Sequence, residues 1–217
     1  MFSNIIVGID GEDGGRDAIA LAKLLLADGG RVTLANVYPG ERYVWRGGNP
    51  AYQLVEEHDS VAILEHARQD AGVEAELKEL GEPSVGKGLH VLAEDAGADL
   101  LVIGSSRRGL LGGVSLGDDT RAALNGAPCA VAIAPAGYAT EPKLVREIGV
   151  GYNGSTESQH ALGVARELAA RLGAKLSAFE AVSVPTFVVH GSAAADGAPI
   201  KDLVAEARDR IAALGDV

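Results

Sequence analysis

Short apolar runs alternate with amphipathic stretches through most of this chain, and that alternation constrains the fold more than any other feature. Ile5-Ile6-Val7-Gly8-Ile9-Asp10 is a strand-sized apolar run closed by a turn cluster at Gly11, Gly14 and Gly15, the pattern of a strand buried on both faces. Ala18, Leu21, Ala22, Leu25 and Leu26 then share one helical stripe, with Asp28-Gly29-Gly30 as the expected stop. Residues 31–38 alternate in the manner of a second strand, and a polar loop over 39–51 carries Tyr43 and Trp45. A helix over 52–70, a strand over 73–80 and a helix opened by Pro83 and running to Ala96 follow. Residues 99–104 form a fourth strand, 104–117 a glycine-rich loop, 118–125 a short helix and 129–135 a fifth strand. This order predicts an α/β protein with a doubly wound, open, parallel five-stranded sheet, because right-handed crossovers place helices on both faces.

The pattern then restarts. A shift of 143 places sets Ile5 on Ile148, Val7 on Val150, Gly8 on Gly151, Gly11 on Gly154, Ala18 on Ala161, Ala22 on Ala165, Leu25 on Leu168 and Gly30 on Gly173. The matches fall on strand, turn, core stripe and helix stop, so a physical pattern repeats. Residues 176–182 read as a second strand and 198–214 as a second helix. The expected organisation is a complete domain over 1–140 and a partial one over 141–217, holding only the first two strands and helices. Two parallel strands cannot bury both faces alone, so the second part is expected to lean on the first or on a partner chain, or to belong to a longer protein.

At 217 residues the chain is long for one compact domain, and 47 % apolar with 23 % charged residues is a globular composition. No apolar run nears the roughly 20 residues of a membrane-spanning helix, and the N-terminus enters a strand with no signal-type core. The single cysteine, Cys129, excludes an internal disulfide and fits the reducing cytoplasm. The formal charge is −11, with 20 acids against 11 bases over 1–140 and 10 against 8 over 141–217. So acidic a surface repels a phosphate backbone and argues against a nucleic-acid partner. A small local anion site is compatible with it.

The most informative segment runs from Leu100-Leu101-Val102-Ile103-Gly104 through Ser105-Ser106-Arg107-Arg108-Gly109 to Gly117-Asp118-Asp119-Thr120-Arg121. A buried strand empties into a glycine loop that opens a helix, which in an open α/β sheet is the crevice where ligands bind. Glycines let backbone N–H groups converge on an anion, the helix adds its positive end, and Arg107, Arg108 and Arg121 would supply charge. The competing structural reading is a tight crossover with solvated arginines and Asp118 as a helix cap.

Asp10 closing the first strand, Ala98-Asp99-Leu100-Leu101-Val102-Ile103-Gly104 entering the loop, and Ala127-Pro128-Cys129-Ala130-Val131 opening the last strand resemble the universal stress protein family. The similarity covers residues 3–135 and returns in part over 146–217, like a tandem protein with an incomplete second copy. The resemblance implies an adenine nucleotide alpha hydrolase-like fold, frequent dimers and, in one subgroup, ATP held by Gly-x-x-Gly, nine residues, then Gly-Ser/Thr. Gly104 matches the first glycine and Gly117 the third, whereas Arg107 stands at the second and Asp118 at the hydroxyl position. Arg107 brings a side chain where a backbone must approach phosphate, and Asp118 puts a carboxylate where phosphate wants the N–H groups. Arg107 and Arg108, or a metal bridging Asp118 to phosphate, would compensate. By the same resemblance Asp10 faces the ribose or adenine and Val37 borders the base, although Asp10 is equally suited to cap its own turn. Ile103, Ser106, Asp119 and Thr120 complete the candidate nucleotide-contacting set.

Other motifs carry less. Gly81-Glu82-Pro83-Ser84-Val85-Gly86-Lys87-Gly88 falls one residue short of a P-loop, since Gly88 has no hydroxyl for Mg²⁺ and Pro83 no N–H. Gly149-Val150-Gly151-Tyr152-Asn153-Gly154, with Glu180 ending the next strand, matches a dinucleotide fingerprint, but its first two glycines fall inside the strand. His58, His66, His90, His160 and His190 include no i, i+4 pair, and no Gly-x-Ser-x-Gly elbow surrounds Ser105 or Ser106. Cys129 reads as a buried hydrophobe, and Tyr43 and Trp45 as a rim-packing lid or a ligand or partner contact. No metal is expected beyond Mg²⁺ accompanying a nucleotide. The expected function is a nucleotide-responsive sensing or protein-interaction module without turnover, forming homodimers through the apolar edge strand at 129–134. The alternatives are a structural partner protein without a ligand, and a weak ATPase using Asp118 or Asp119 as metal ligand.

Overall fold

The computed structural model describes residues 1–38, 50–105, 113–141, 144–183 and 198–215. They form two compact units, 1–143 and 144–217. The first contains β1 (Phe2–Gly8), α1 (Asp13–Leu25), β2 (Leu26–Tyr38), α2 (Pro50–Ala71), β3 (Glu76–Gly81), α3 (Val85–Ala96), β4 (Leu100–Gly104), α4 (Asp118–Leu124) and β5 (Ala130–Ala134). The strands make one parallel sheet in the order β3-β2-β1-β4-β5. Ile5, Ile6 and Val7 of β1 are wholly buried, facing Val32–Leu34 on one side and Leu100–Val102 on the other. That is why both central runs are continuously apolar: helices cover each face of a parallel sheet.

Three boundaries differ from the sequence reading. Asp28-Gly29-Gly30 does not stop α1: the helix ends at Leu25, and Leu26 is already extended (φ −68°, ψ 133°). The triplet lies within β2, where a register shift carries the pairing from Phe2↔Leu26 to Asn4↔Arg31. Gly29 takes φ +73° in this bulge, so the residues that read as a helix stop serve a strand irregularity. Pro83 precedes the helix it was expected to open, because Ser84 is extended and acts as N-cap. Cys129 lies just before β5 and is half-buried against the sheet's core.

The N-terminal end of the sheet is held by side chains. Asn4 is 7 % exposed, and its Nδ2 donates to the carbonyls of Ala96 (2.7 Å) and Gly97 (3.0 Å) at the end of α3, while Arg31 Nε donates to its Oδ1 (2.9 Å). The Asp99 carboxylate accepts from the N–H groups of Ser3 (2.7 Å) and Asn4 (3.0 Å). On the α3 side, a Cβ at Gly86 would fall 2.5 Å from the carbonyl carbon of Ala122, so α3 rests directly on the backbone of α4.

The second unit comprises β6 (Glu147–Gly151), α5 (Thr156–Leu172), β7 (Lys175–Phe179) and α6 (Ala198–Ala212), with β6 and β7 parallel. Val150, Leu162 and Ala165 form its core. Ser155 caps α5 by accepting from Ser158 N (3.2 Å), and Gly173 closes it at φ +63°. Arg210 of α6 grips Glu180 in a two-pronged contact (3.0 and 2.8 Å). That hydrogen bonding, more than the charge, holds the Glu180 carboxyl below its ordinary value.

Gly11 and Gly154, 143 residues apart, follow the first strand of their units in the same left-handed conformation, φ +81° and +83°. The second strands follow an offset of 144, because Ile5 pairs with Val32 whereas Ile148 pairs with Leu176. Gly29 (φ +73°) and Gly173 (φ +63°) share the left-handed conformation in different settings, a strand bulge and a helix C-cap.

Candidate functional site

A cavity of about 810 Å³ opens where the carboxyl ends of β1, β2 and β4 meet the start of α4. Asp10, Val37, Ile103, Gly104, Gly117, Asp118, Asp119 and Thr120 all border it. The fold thus gathers around one cavity residues separated by more than a hundred positions. Ser106 and Arg107, with Arg108, Tyr43 and Trp45, lie outside the described residues. The sequence reading missed Gly14, Asn36, Val85, Leu89, Ser105 and Ser115, which also border the cavity.

The walls are set by close backbone approach. A Cβ at Gly104 would lie 2.3 Å from the Gly14 carbonyl oxygen, so only glycine lets the end of β4 meet the first turn of α1. Asn36 is buried and donates from Nδ2 to the Ile9 carbonyl (2.6 Å), fixing the end of β1 against β2. Ser105 Oγ accepts from Ser115 N (2.7 Å) and donates to Ser115 O (3.3 Å), pinning together the two ends of the glycine-rich segment.

Among the described residues that border the cavity, the charged ones are acidic. Asp10 is exposed at the cavity's border, and its Oδ1 accepts from Glu12 N (3.0 Å) in an Asx turn. Asp118 and Asp119 are exposed on the first turn of α4. Asp118 does not cap that helix: Gly117 is the N-cap, in extended conformation with no side-chain bond. Arg121 Nε donates instead to the Leu116 carbonyl (3.4 Å). Among the described residues no group of three metal-ligating side chains is assembled.

The two weaker motifs have structural explanations. Gly86 and Gly88 let α3 pack against Ala122 and Val37, and Lys87 pairs with Glu82 at the surface (3.1 Å), so residues 81–88 form a helix start and no phosphate cradle. Gly149 and Gly151 lie inside β6, and Glu180 is spent on Arg210. Burial pushes the Cys129 thiol up, and the nearby Asp99 charge adds to this. No described helix is long and apolar enough to cross a membrane.

Residues 1–135 match the profile of the universal stress protein family. The chain belongs to that family. A universal stress protein from Archaeoglobus fulgidus DSM 4304 is 15 % identical, with a TM-score of 0.61 over 94 % of this chain and 72 % of its own. A Pseudomonas aeruginosa UCBPP-PA14 protein assigned to the same family is also 15 % identical, with a TM-score of 0.56 over 97 % of this chain and 70 % of its own. A universal stress protein solved in complex with cAMP is 24 % identical over 62 % of this chain and 98 % of its own, at a TM-score of 0.49. No curated protein matches the chain. In the universal stress protein domain described here, the five-stranded parallel sheet agrees with the expected fold.

Proposed function

We propose that the universal stress protein domain holds an adenine nucleotide, ATP or a relative, in the cavity at the carboxyl ends of β1, β2 and β4. It acts there as a cytoplasmic sensing or protein-interaction module without turnover, with residues 141–217 as a partial second copy. One observation carries the reading: a cavity of about 810 Å³, within the usual range for a small-molecule site, has a wall that only glycine at 104 permits. Val37, Ile103 and Leu89 supply an apolar surface for a base, and Asp10 a carboxylate oxygen for a sugar hydroxyl. The second reading, a partner protein without ligand, is favoured by the three carboxylates on the wall, which oppose phosphate unless a cation offsets them.

Isothermal titration with ATP, ADP and AMP, each with and without Mg²⁺, tests both. One nucleotide per chain is expected, with binding abolished by Gly117→Val, which adds a branched side chain at the cavity wall. Silence with all three nucleotides would leave the partner reading, and release of inorganic phosphate would establish an enzyme. Strand β5 is an edge of the sheet whose Val131, Ala132 and Ile133 are only half-buried. An uncharged edge of this kind invites pairing with a second copy. Sedimentation equilibrium is expected to give twice the 22.2 kDa chain mass, and a monomer at all concentrations would refute that pairing.

A further inference from the structure

Asp17 is 3 % exposed, yet it is a carboxylate and takes no part in the cavity wall. Its two oxygens accept from the N–H groups of Gly137 (2.8 Å, to Oδ2) and Ala139 (2.7 Å, to Oδ1), across about 120 residues of chain. Those N–H groups belong to a tight turn after β5. Gly137 has φ +81°, its carbonyl accepts from the N–H groups of Thr140 and Glu141 and from Thr140 Oγ1, and Tyr138 N donates to Pro135 O. The turn ends the first unit and leads toward residue 144.

The same turn is bound to the cavity wall from its other side. Ser105 N donates to Ala134 O (2.9 Å), and Ala136 N donates to Gly113 O (3.1 Å). Ser105 is in turn joined to Ser115. The path returns through α1, whose Gly14 touches Gly104, the residue before Ser105, one helical turn from Asp17. Cavity wall, end of β5, turn, Asp17 and α1 therefore form a closed ring of contacts, each link a backbone group held by a named partner. The Gly14–Gly104 link is a packing contact; the hydrogen-bonded links from Asp17 through the turn to Ser105 and Ser115 reinforce one another, since opening one weakens the geometry of the next.

We propose that Asp17 is a positioning residue that couples the cavity wall at Ser105 and Ser115 to the turn at 136–139, so that a ligand in the cavity and the turn leading to the second unit control each other. The ligand half of this statement rests on the cavity being a nucleotide site; the coupling itself does not. Coupling is reciprocal: what the ligand does to the turn, the turn must do to ligand affinity.

Residue-resolved amide hydrogen exchange on the full chain tests it. In Asp17→Asn, which keeps the shape but loses one acceptor, exchange at Ser105 and Ser115 is expected to rise about tenfold or more, within the range of known coupling between sites. The core amides of Val7 and Leu101 should stay unchanged. In Ser105→Ala the amides of Ala136, Gly137 and Ala139 should respond in the same way, which decides the matter if the Asp17 variant folds poorly. Changes confined to the mutated end in both variants would overturn the proposal, because a local clasp predicts only that. Saturating ATP should slow exchange at Gly137 and Ala139 about tenfold, and Asp17→Asn should weaken ATP binding by a similar factor. ATP that binds while leaving both amides and the variant's affinity unmoved would also overturn it. Failure of ATP to bind at all would refute the nucleotide reading, with the ligand-free variants still deciding the ring.

Discussion

Replacing Gly104 by alanine is expected to lower the stability of the first unit by about 3 kcal/mol, near the upper end for overpacking, and to abolish binding in the cavity. A single methyl group there would sit 2.3 Å from the Gly14 carbonyl oxygen and 2.6 Å from its carbonyl carbon and Cα. Those atoms are backbone, so no rotamer change relieves the overlap. The end of β4 must move off α1, or α1 must shift on the sheet. Either movement opens the packing around Ile9, Ile103 and Ala18, all nearly or wholly buried. For a unit of this size roughly 2–4 °C accompanies each kcal/mol, so thermal unfolding should fall by about 10 °C. Gly97→Ala is a useful comparison, since its strain comes from φ +59° while a Cβ there meets nothing within 4 Å; it should cost only about 1 kcal/mol. Equal losses in the two variants would mean that the Gly104–Gly14 contact is not the constraint described.

Asn4→Ala is expected to cost about 3 kcal/mol by urea denaturation, at the opposite end of the sheet from the cavity. Its Nδ2 satisfies two carbonyls at the end of α3, and its Oδ1 receives Arg31. Truncation removes three bonds whose partners, the Ala96 and Gly97 carbonyls and Arg31, are half-buried to exposed, and each such bond contributes about 0.5–1.5 kcal/mol. Arg31 retains its bond to Ala96 O (3.1 Å), which limits the loss. Ligand affinity should be unchanged, because no Asn4 contact reaches the cavity wall. A loss below about 1 kcal/mol would show that water replaces these partners freely.

The parts of this molecule written in local pattern were readable from the residues. Ile5–Val7 and Leu100–Ile103 announce central strands because a parallel sheet leaves their both faces dry, and the glycine-rich segment after β4 announces a crevice. Asp28-Gly29-Gly30 misled because the same triplet suits a helix stop and a strand bulge, and only the pairing of β1 with β2 separates them. The cavity was legible through Asp10, Gly104 and Gly117, which sit at strand ends and a helix start. Ser105–Ser115 and Asp17–Gly137 left no trace, since a hydrogen bond to a backbone amide far along the chain imposes no residue type on its partner. Gly14 lay in a glycine cluster that reads as turn chemistry, and its contact with Gly104 becomes visible only when two crossovers are folded over each other.

The seating of Gly86 on the Ala122 backbone has a mechanical consequence. With no side chain between them, α3 and α4 have no cushion of rotamers to absorb a displacement, so they translate as one geared body. A displacement at Thr120 or Asp119 is therefore passed on to Val85 and Leu89, which border the same crevice.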